Sequence, residues 1–195
     1  MGNNMFAYCL NNPVNAYDPL GEDAIWLQDI DNAVAGILGH TGLLIQDSSG
    51  KWFYFNWTNS YCCCWEVDPK KFDYTSLSSL MTIDGNRYDA AIYFEGDFSA
   101  SVAYAEKLEK NYSSEDYVLV GNNCMQVVAD VLMQGEFEQS DLSYKVMLHK
   151  ARNSTIPNVA YSRMVNFTNA EQIYNAAPKW AKRLYTSPER AALIY

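Results

Sequence analysis

Two residues in this chain combine the chemistry of a nucleophile with that of a base: Cys124 and His40. A thiol nucleophile needs stabilisation of its thiolate, a base to handle the proton, and donors for the oxyanion developing on the attacked carbonyl. Cys124 follows the turn Gly121-Asn122-Asn123 and heads an apolar stripe at helical spacing, which puts it in the first turn of a helix. Backbone N–H groups and the positive helix end at such a position lower a thiol pKa and can face a carbonyl oxygen. A buried small residue is the plainer account of a cysteine there. His40 sits in Gly39-His40-Thr41-Gly42, at the start of a strand, where small neighbours leave its ring accessible. The other histidine, His149, lies in a polar, loosely patterned stretch with no helix-start cysteine beside it, and carries no chemical expectation.

The elements that must position these residues follow from periodicity and turn signals. A short helical stretch is expected from about Ala24 to Val34, then a strand from Gly39 to Ile45. Asp47-Ser48-Ser49-Gly50 reads as a hairpin turn, with Lys51 to Trp57 returning as an aromatic strand. Trp52, Tyr54 and Asn56 share one face of that strand by two-residue alternation. Cys62 to Val67 reads as a further strand, followed by a loop through Pro69 and the Ser/Thr-rich 75–79 region. Tyr88 to Phe94 is another strand. Asp97 is the expected N-cap of a helix running to about Asn111, with Phe98, Val102, Ala105 and Leu108 on one face. Tyr117 to Val120 reads as a short buried strand or extended approach. The next helix carries Cys124, Val127, Val128, Val131 and Leu132 at i, i+3, i+4, i+7 and i+8, and Gly135 closes it. Pro157 and Pro178 break the remainder into short helical pieces ending in Pro188 to Tyr195.

Composition removes several function classes. The chain has 195 residues, 49% of them apolar, enough for one core, and shows neither an internal repeat nor a second globular unit. A net charge of −9 repels a phosphate backbone, so nucleic acid is not an expected partner. The basic residues Lys179, Lys182, Arg183 and Arg190 read as a solvated helix face. The start, MGNNMFAYCLNNP, lacks the basic-then-apolar pattern of a signal peptide, and no apolar run is long enough for a transmembrane segment. The five cysteines (Cys9, the run Cys62 to Cys64, and Cys124) make a poor disulfide framework, and three adjacent thiols lack the spacing of a zinc site. A reduced chain without metal or other cofactor is expected. The sequons at Asn56, Asn111, Asn153 and Asn166 occur at the rate chance predicts in so Asn- and Ser/Thr-rich a chain.

The first 21 residues have no sustained period and hold two turn signals, Asn11-Asn12-Pro13 and Asp18-Pro19-Leu20-Gly21. The stretch NMFAYCLNNPVNAYDPLG resembles the end of the Rhs/YD-repeat core, an N-x-x-x-Y-x-x-N-N-P-x-N-x-x-D-P-x-G pattern that precedes a variable tip. The resemblance implies a junction, with residues 1–21 closing the repeat core and residues 22–195 forming an effector domain. It also implies secretion or delivery as the tip of a larger protein, action as a toxin inside a competing cell, and a cognate immunity protein as partner.

A second resemblance spans Gly39 to Gly135. A strand carrying G-H-x-G-L-L-I, an aromatic strand W-F-Y-F-N and a helix opening with N-N-C are similar to the circularly permuted papain-like superfamily, which includes lecithin:retinol acyltransferase-like enzymes and bacterial amidases. In that class the histidine strand precedes the cysteine helix, as it does here. The resemblance implies an α+β fold, with an antiparallel sheet and the nucleophile-bearing helix packed on it. It assigns Cys124 as nucleophile and His40 as general base. The third, orienting residue lies on the next strand, with Asn56 the first choice and Tyr54 the second. Relatives often place a histidine or an acid there, and this chain offers no histidine. Backbone N–H of Cys124, with the side chain of Asn122 or Asn123, would hold the oxyanion. The expected activity is that of a cysteine hydrolase, protease or amidase, through a thioester. Acyltransferase, deamidase or lipase chemistry with the same pair remains open, as does a non-catalytic binding module.

Overall fold

The structure, a computed structural model, describes residues 23–30, 39–68, 81–83, 86–88, 90–119, 121–138, 141–154 and 156–168. The segment 1–21, the 75–79 region and everything from residue 169 onward, including Pro178 and the basic C-terminal residues, lie outside that set. The fold is α+β. Its centre is a five-stranded antiparallel sheet in the order β4-β3-β2-β1-β7. These strands are β1 (Ala24–Asp29), β2 (His40–Gln46), β3 (Trp52–Trp57), β4 (Cys62–Val67) and β7 (Ala90–Phe94). Two short two-stranded antiparallel pairs accompany it among the described residues: the hairpin of β5 (Met81–Ile83) with β6 (Asn86–Tyr88), and β8 (Gly96–Asp97) with β9 (Glu136–Phe137), two strands distant from each other in the chain.

One expectation is reversed here. Ala24 to Asp29 is not helical but is the strand between β2 and β7, with Trp26 opposite Leu43 on one side and Ile92 on the other. Every residue of β1 is buried, because both faces of the strand are covered. A short run buried on both faces shows no two-residue alternation, and periodicity alone does not separate it from a helix. The Tyr88 to Phe94 strand also divides: Tyr88 ends β6, whereas Ala90–Phe94 joins the main sheet. The hairpin between β2 and β3 forms as the turn residues dictate. Asp47 Oδ1 accepts the backbone N–H groups of Ser49 (2.9 Å) and Lys51 (3.0 Å), and Gly50 takes φ +79°.

Among the described residues four α-helices join the sheet: α1 (Ser99–Lys110), α2 (Cys124–Leu132), α3 (Asp141–Arg152) and α4 (Pro157–Thr168). Asp97 lies just before α1, as its N-cap chemistry suggests, but accepts from the N–H of Ser99, and Phe98 occupies the cap position. Phe98, Val102 and Ala105 are buried, with Leu108 packed partly against them. Helix α2 is covered on all sides, since Cys124 through Ala129, Val131 and Leu132 are all buried. Burying a valine there contributes on the order of 1.5–3 kcal/mol. Arg152 of α3 clasps Asp130 of α2 at 2.5 Å. Pro157 opens α4 at its first position, where a missing N–H costs nothing. No helix among the described residues is long and apolar enough to cross a membrane.

Candidate active site

The site lies where two ladders of β2 end at different points. On the β1 side, pairing continues to Asp29 opposite His40; on the β3 side it stops at Gly42 opposite Asn56. His40 and Thr41 therefore extend beyond the β2–β3 ladder while still anchored to β1. Alternation puts His40, Gly42 and Asn56 on one face, with His40 and Asn56 diagonal across the final pair. His40 Nε2 lies 2.9 Å from Asn56 Oδ1. Because that oxygen can only accept, Nε2 carries the proton of the neutral ring and Nδ1 keeps its lone pair as a base. Asn56 is fully buried, and its Nδ2 donates to Tyr61 Oη at 2.9 Å.

Tyr88 backs the histidine. Its ring stacks on His40 with centroids 6.1 Å apart and planes at 24°. Gly42 makes this possible: a Cβ there would lie 2.3 Å from Tyr88 Oη. Tyr54, the second choice for an orienting residue, is completely buried and meets Tyr88 Oη at 2.8 Å. Its hydroxyl thus joins the support behind His40, and burial denies it contact with a substrate.

Cys124 begins α2, one of whose neighbours is β2. The backbone N–H groups of Thr41, Met125 and Cys124 itself, together with the Tyr117 phenol, act on the Cys124 thiol as donors that pull its pKa down. The Thr41 donor comes from the start of β2, from the residue that follows His40. Burial pushes the thiol pKa up and outweighs these four donors, which all pull it down. This corrects the expectation of a helix-start thiolate: the dipole and amides act in the expected direction, but the buried thiol stays protonated. Burial likewise lowers the His40 pKa, against the raising effect of its bond to Asn56. The resting site thus holds a neutral thiol and a neutral imidazole. Tyr117, pushed up to about 12 chiefly by burial and by the neighbouring Cys124, stays a donor.

The two asparagines before the nucleophile shape its loop. Asn123 is the N-cap of α2: its Oδ1 accepts from Gln126 N at 3.2 Å, and Gln126 Oε1 accepts from Asn123 N at 3.0 Å. Asn123 Nδ2 donates to the Leu119 carbonyl at 2.9 Å, and Asn122 Nδ2 to the Asp116 carbonyl at 2.5 Å. Both side chains tie down backbone and give no support to an oxyanion role. Val118 and Asn122 exchange two backbone hydrogen bonds of 3.1 Å, so Tyr117 to Leu119 forms the base of a small loop. Its Val118 and Leu119 are exposed, not buried as expected.

Cys62, Cys63 and Cys64 lie on β4, and burial followed by Glu109 pushes the Cys62 and Cys64 thiols up to about 12. Among the described residues no cluster of three metal-binding side chains occurs. His149 is exposed near the end of α3. Sequence reasoning missed Thr41, Tyr61 and Tyr88 and noted Tyr117 only as part of the approach to the cysteine. Tyr61 sits in the turn between β3 and β4, and Tyr88 comes from the separate β5–β6 hairpin, which no local spacing connects to His40.

No family model, curated protein or solved structure matches this chain.

Proposed function

We propose that this chain is a cysteine hydrolase, of the protease or amidase class, acting as the toxic tip of an Rhs-type protein. The observation that supports it most is the joining of two hydrogen-bonded sets at one strand end. Asn56 holds Nε2 of His40, and the N–H of the next residue, Thr41, holds the sulfur of Cys124.

The reaction runs from a neutral pair. His40 Nδ1 takes the thiol proton as the sulfur attacks the carbonyl carbon, and the π electrons move to oxygen. Backbone N–H groups beside the sulfur, that of Cys124 first, stabilise the oxyanion in a site where burial strengthens each bond. Collapse of the intermediate breaks the C–N bond, His40 protonates the leaving amine, and a thioester remains. His40 then deprotonates a water that attacks the thioester, releasing the acid and restoring the thiol. The bond to Asn56 stabilises the imidazolium at both steps, and Tyr88 keeps the ring in place. No metal or cofactor enters this route. The resemblance of residues 1–21 to an Rhs junction supports delivery into a target cell and neutralisation by an immunity protein in the producer.

Expression of the chain and of Cys124→Ala in the bacterial cytoplasm, and separately in the periplasm, tests this reading. Growth arrest in one compartment, abolished by Cys124→Ala, is the expected result. Arrest by both proteins alike would leave a binding module.

A further inference from the structure

Beneath Gly39-His40-Thr41 lies a buried polar relay with only one possible polarity. Trp26 Nε1, which can only donate, meets Gln28 Oε1 at 3.4 Å. Gln28 Nε2 then faces acceptors, the Asp29 carbonyl at 3.5 Å and Asn158 Oδ1 at 2.9 Å. Asn158 Nδ2 donates to the Ile30 carbonyl at 3.3 Å, which fixes that amide as well. Gln28 Oε1 also accepts the hydroxyl of Thr41, at 2.8 Å. Gln28 and Thr41 are completely buried, and Asn158 nearly so. Donor-only and acceptor-only partners at the ends leave neither amide free to flip. Gly39, at φ +64°, has no room for a side chain here: a Cβ would lie 2.2 Å from Asn158 Oδ1 and 2.7 Å from Gln28 Nε2.

Thr41 thus has two roles at different atoms. Its hydroxyl is locked into the relay, and its main-chain N–H donates to the Cys124 sulfur beyond the end of the β2–β3 ladder. The β1 ladder holds the Thr41 main chain on one side only, and the bond from its hydroxyl to Gln28 adds a second restraint where the β3 ladder has ended.

We infer that Gln28 and Asn158 are positioning residues of the site, acting through the Thr41 hydroxyl to hold the Thr41 N–H as an anion donor beside the Cys124 sulfur. The inference rests on the reading of Cys124 as nucleophile. It adds a second backbone donor to that of Cys124 itself, and it makes α4, which carries Asn158, part of the support for the chemistry. A buried network with every amide satisfied is rigid, and the low dielectric strengthens each bond. When the sulfur gains charge, or passes it to the oxygen of an attacked carbonyl, the N–H is already in place and nothing needs to reorganise.

The test is the pH dependence of Cys124 alkylation by iodoacetamide in the full chain, followed peptide by peptide by mass spectrometry. Thr41→Val keeps the β-branched shape and deletes the hydroxyl; Thr41→Ser keeps the hydroxyl; Asn158→Ala breaks the relay from the α4 side. Thr41→Val and Asn158→Ala are expected to move the alkylation midpoint upward and slow the reaction at pH 7 by about threefold or more, the loss of part of one charge-assisted hydrogen bond. Thr41→Ser is expected to keep the wild-type midpoint. An unchanged midpoint in Thr41→Val and Asn158→Ala, even with lowered melting temperatures, would reduce the relay to a packing feature and overturn the inference. If Thr41→Val does not fold, Asn158→Ala decides. Failure of the enzyme reading appears separately, as an alkylation rate in the wild-type background that His40→Ala leaves unchanged.

Discussion

His40 and Asn56 are joined across the end of a ladder that stops at Gly42 opposite Asn56, so the histidine overhangs strand β3 while its Nε2 stays 2.9 Å from the amide oxygen. The overhang leaves Nδ1 as the basic nitrogen, and the amide decides which tautomer is present.

Replacing Asn56 by Ala should therefore lower kcat/KM about tenfold, the worth of a hydrogen bond to a charge-bearing ring. Asn56→Asp, whose oxygens can only accept, should keep the tautomer and raise the His40 pKa. Two-bond proton–nitrogen NMR correlations read the tautomer directly. A His40 that remains protonated at Nε2 in Asn56→Ala would show that another group sets it.

The pH dependence has a definite sign. Burial lowers the His40 pKa below its ordinary 6.5. The unfolded chain then binds more protons than the folded one just below pH 6.5, and stability falls as pH drops from there through the folded pKa. Urea denaturation between pH 7 and 5 should show this loss, and His40→Gln should flatten it. Activity should rise with pH over the same range, as His40 sheds its proton and becomes a base. Stability of the wild type that is insensitive to acid across this window would contradict the assignment.

Thiol labelling separates the cysteines. At pH 7 Cys62 and Cys64, with pKa values of about 12, should label very slowly. Cys124, with backbone donors beside it and His40 as its proposed base, should label faster, and His40→Ala should slow it by roughly tenfold or more. His149→Ala should change nothing. Equal rates for Cys124 and the β4 thiols would make Cys124 a core residue.

Gly42→Ala offers a packing test. The added methyl would meet Tyr88 Oη at 2.3 Å and Cζ at 2.8 Å, forcing Tyr88 away from His40. Such crowding costs about 1–3 kcal/mol. Chemical denaturation measures it, and adding Tyr88→Phe should recover part of the loss by removing the hydroxyl. Full wild-type stability in Gly42→Ala would show that Tyr88 moves aside without cost.

What the sequence disclosed and what it hid follow from the range of each interaction. The β2–β3 hairpin was legible because Asp47 and Gly50 have local turn chemistry, and alternation within β3 was enough to set Asn56 on the face that His40 shares. The α2 stripe was legible for the same reason, although the helix is buried on every side. Strand β1 was not, since Trp26 and Leu27 are both buried and leave no alternation to read. Asn122 and Asn123 misled because an amide beside a cysteine looks like a donor, whereas a capping box claims Asn123 first. Tyr88 and Asn158 were invisible in principle: their meaning depends on which distant segment each one touches.

That dependence has a consequence for how the molecule comes into being. The bond from Gln28 to Asn158 links residues 130 positions apart. Cys124, His40 and Asn56 all precede Asn158, so a growing or truncated chain can contain the whole proposed reacting set while Gln28 still lacks its acceptor on α4. Contacts this distant in sequence close late, after the local hairpin and helices have formed. With Asn158 in the positioning role inferred for it, competence would belong to the chain that has closed this contact and be withheld from its intermediates by topology.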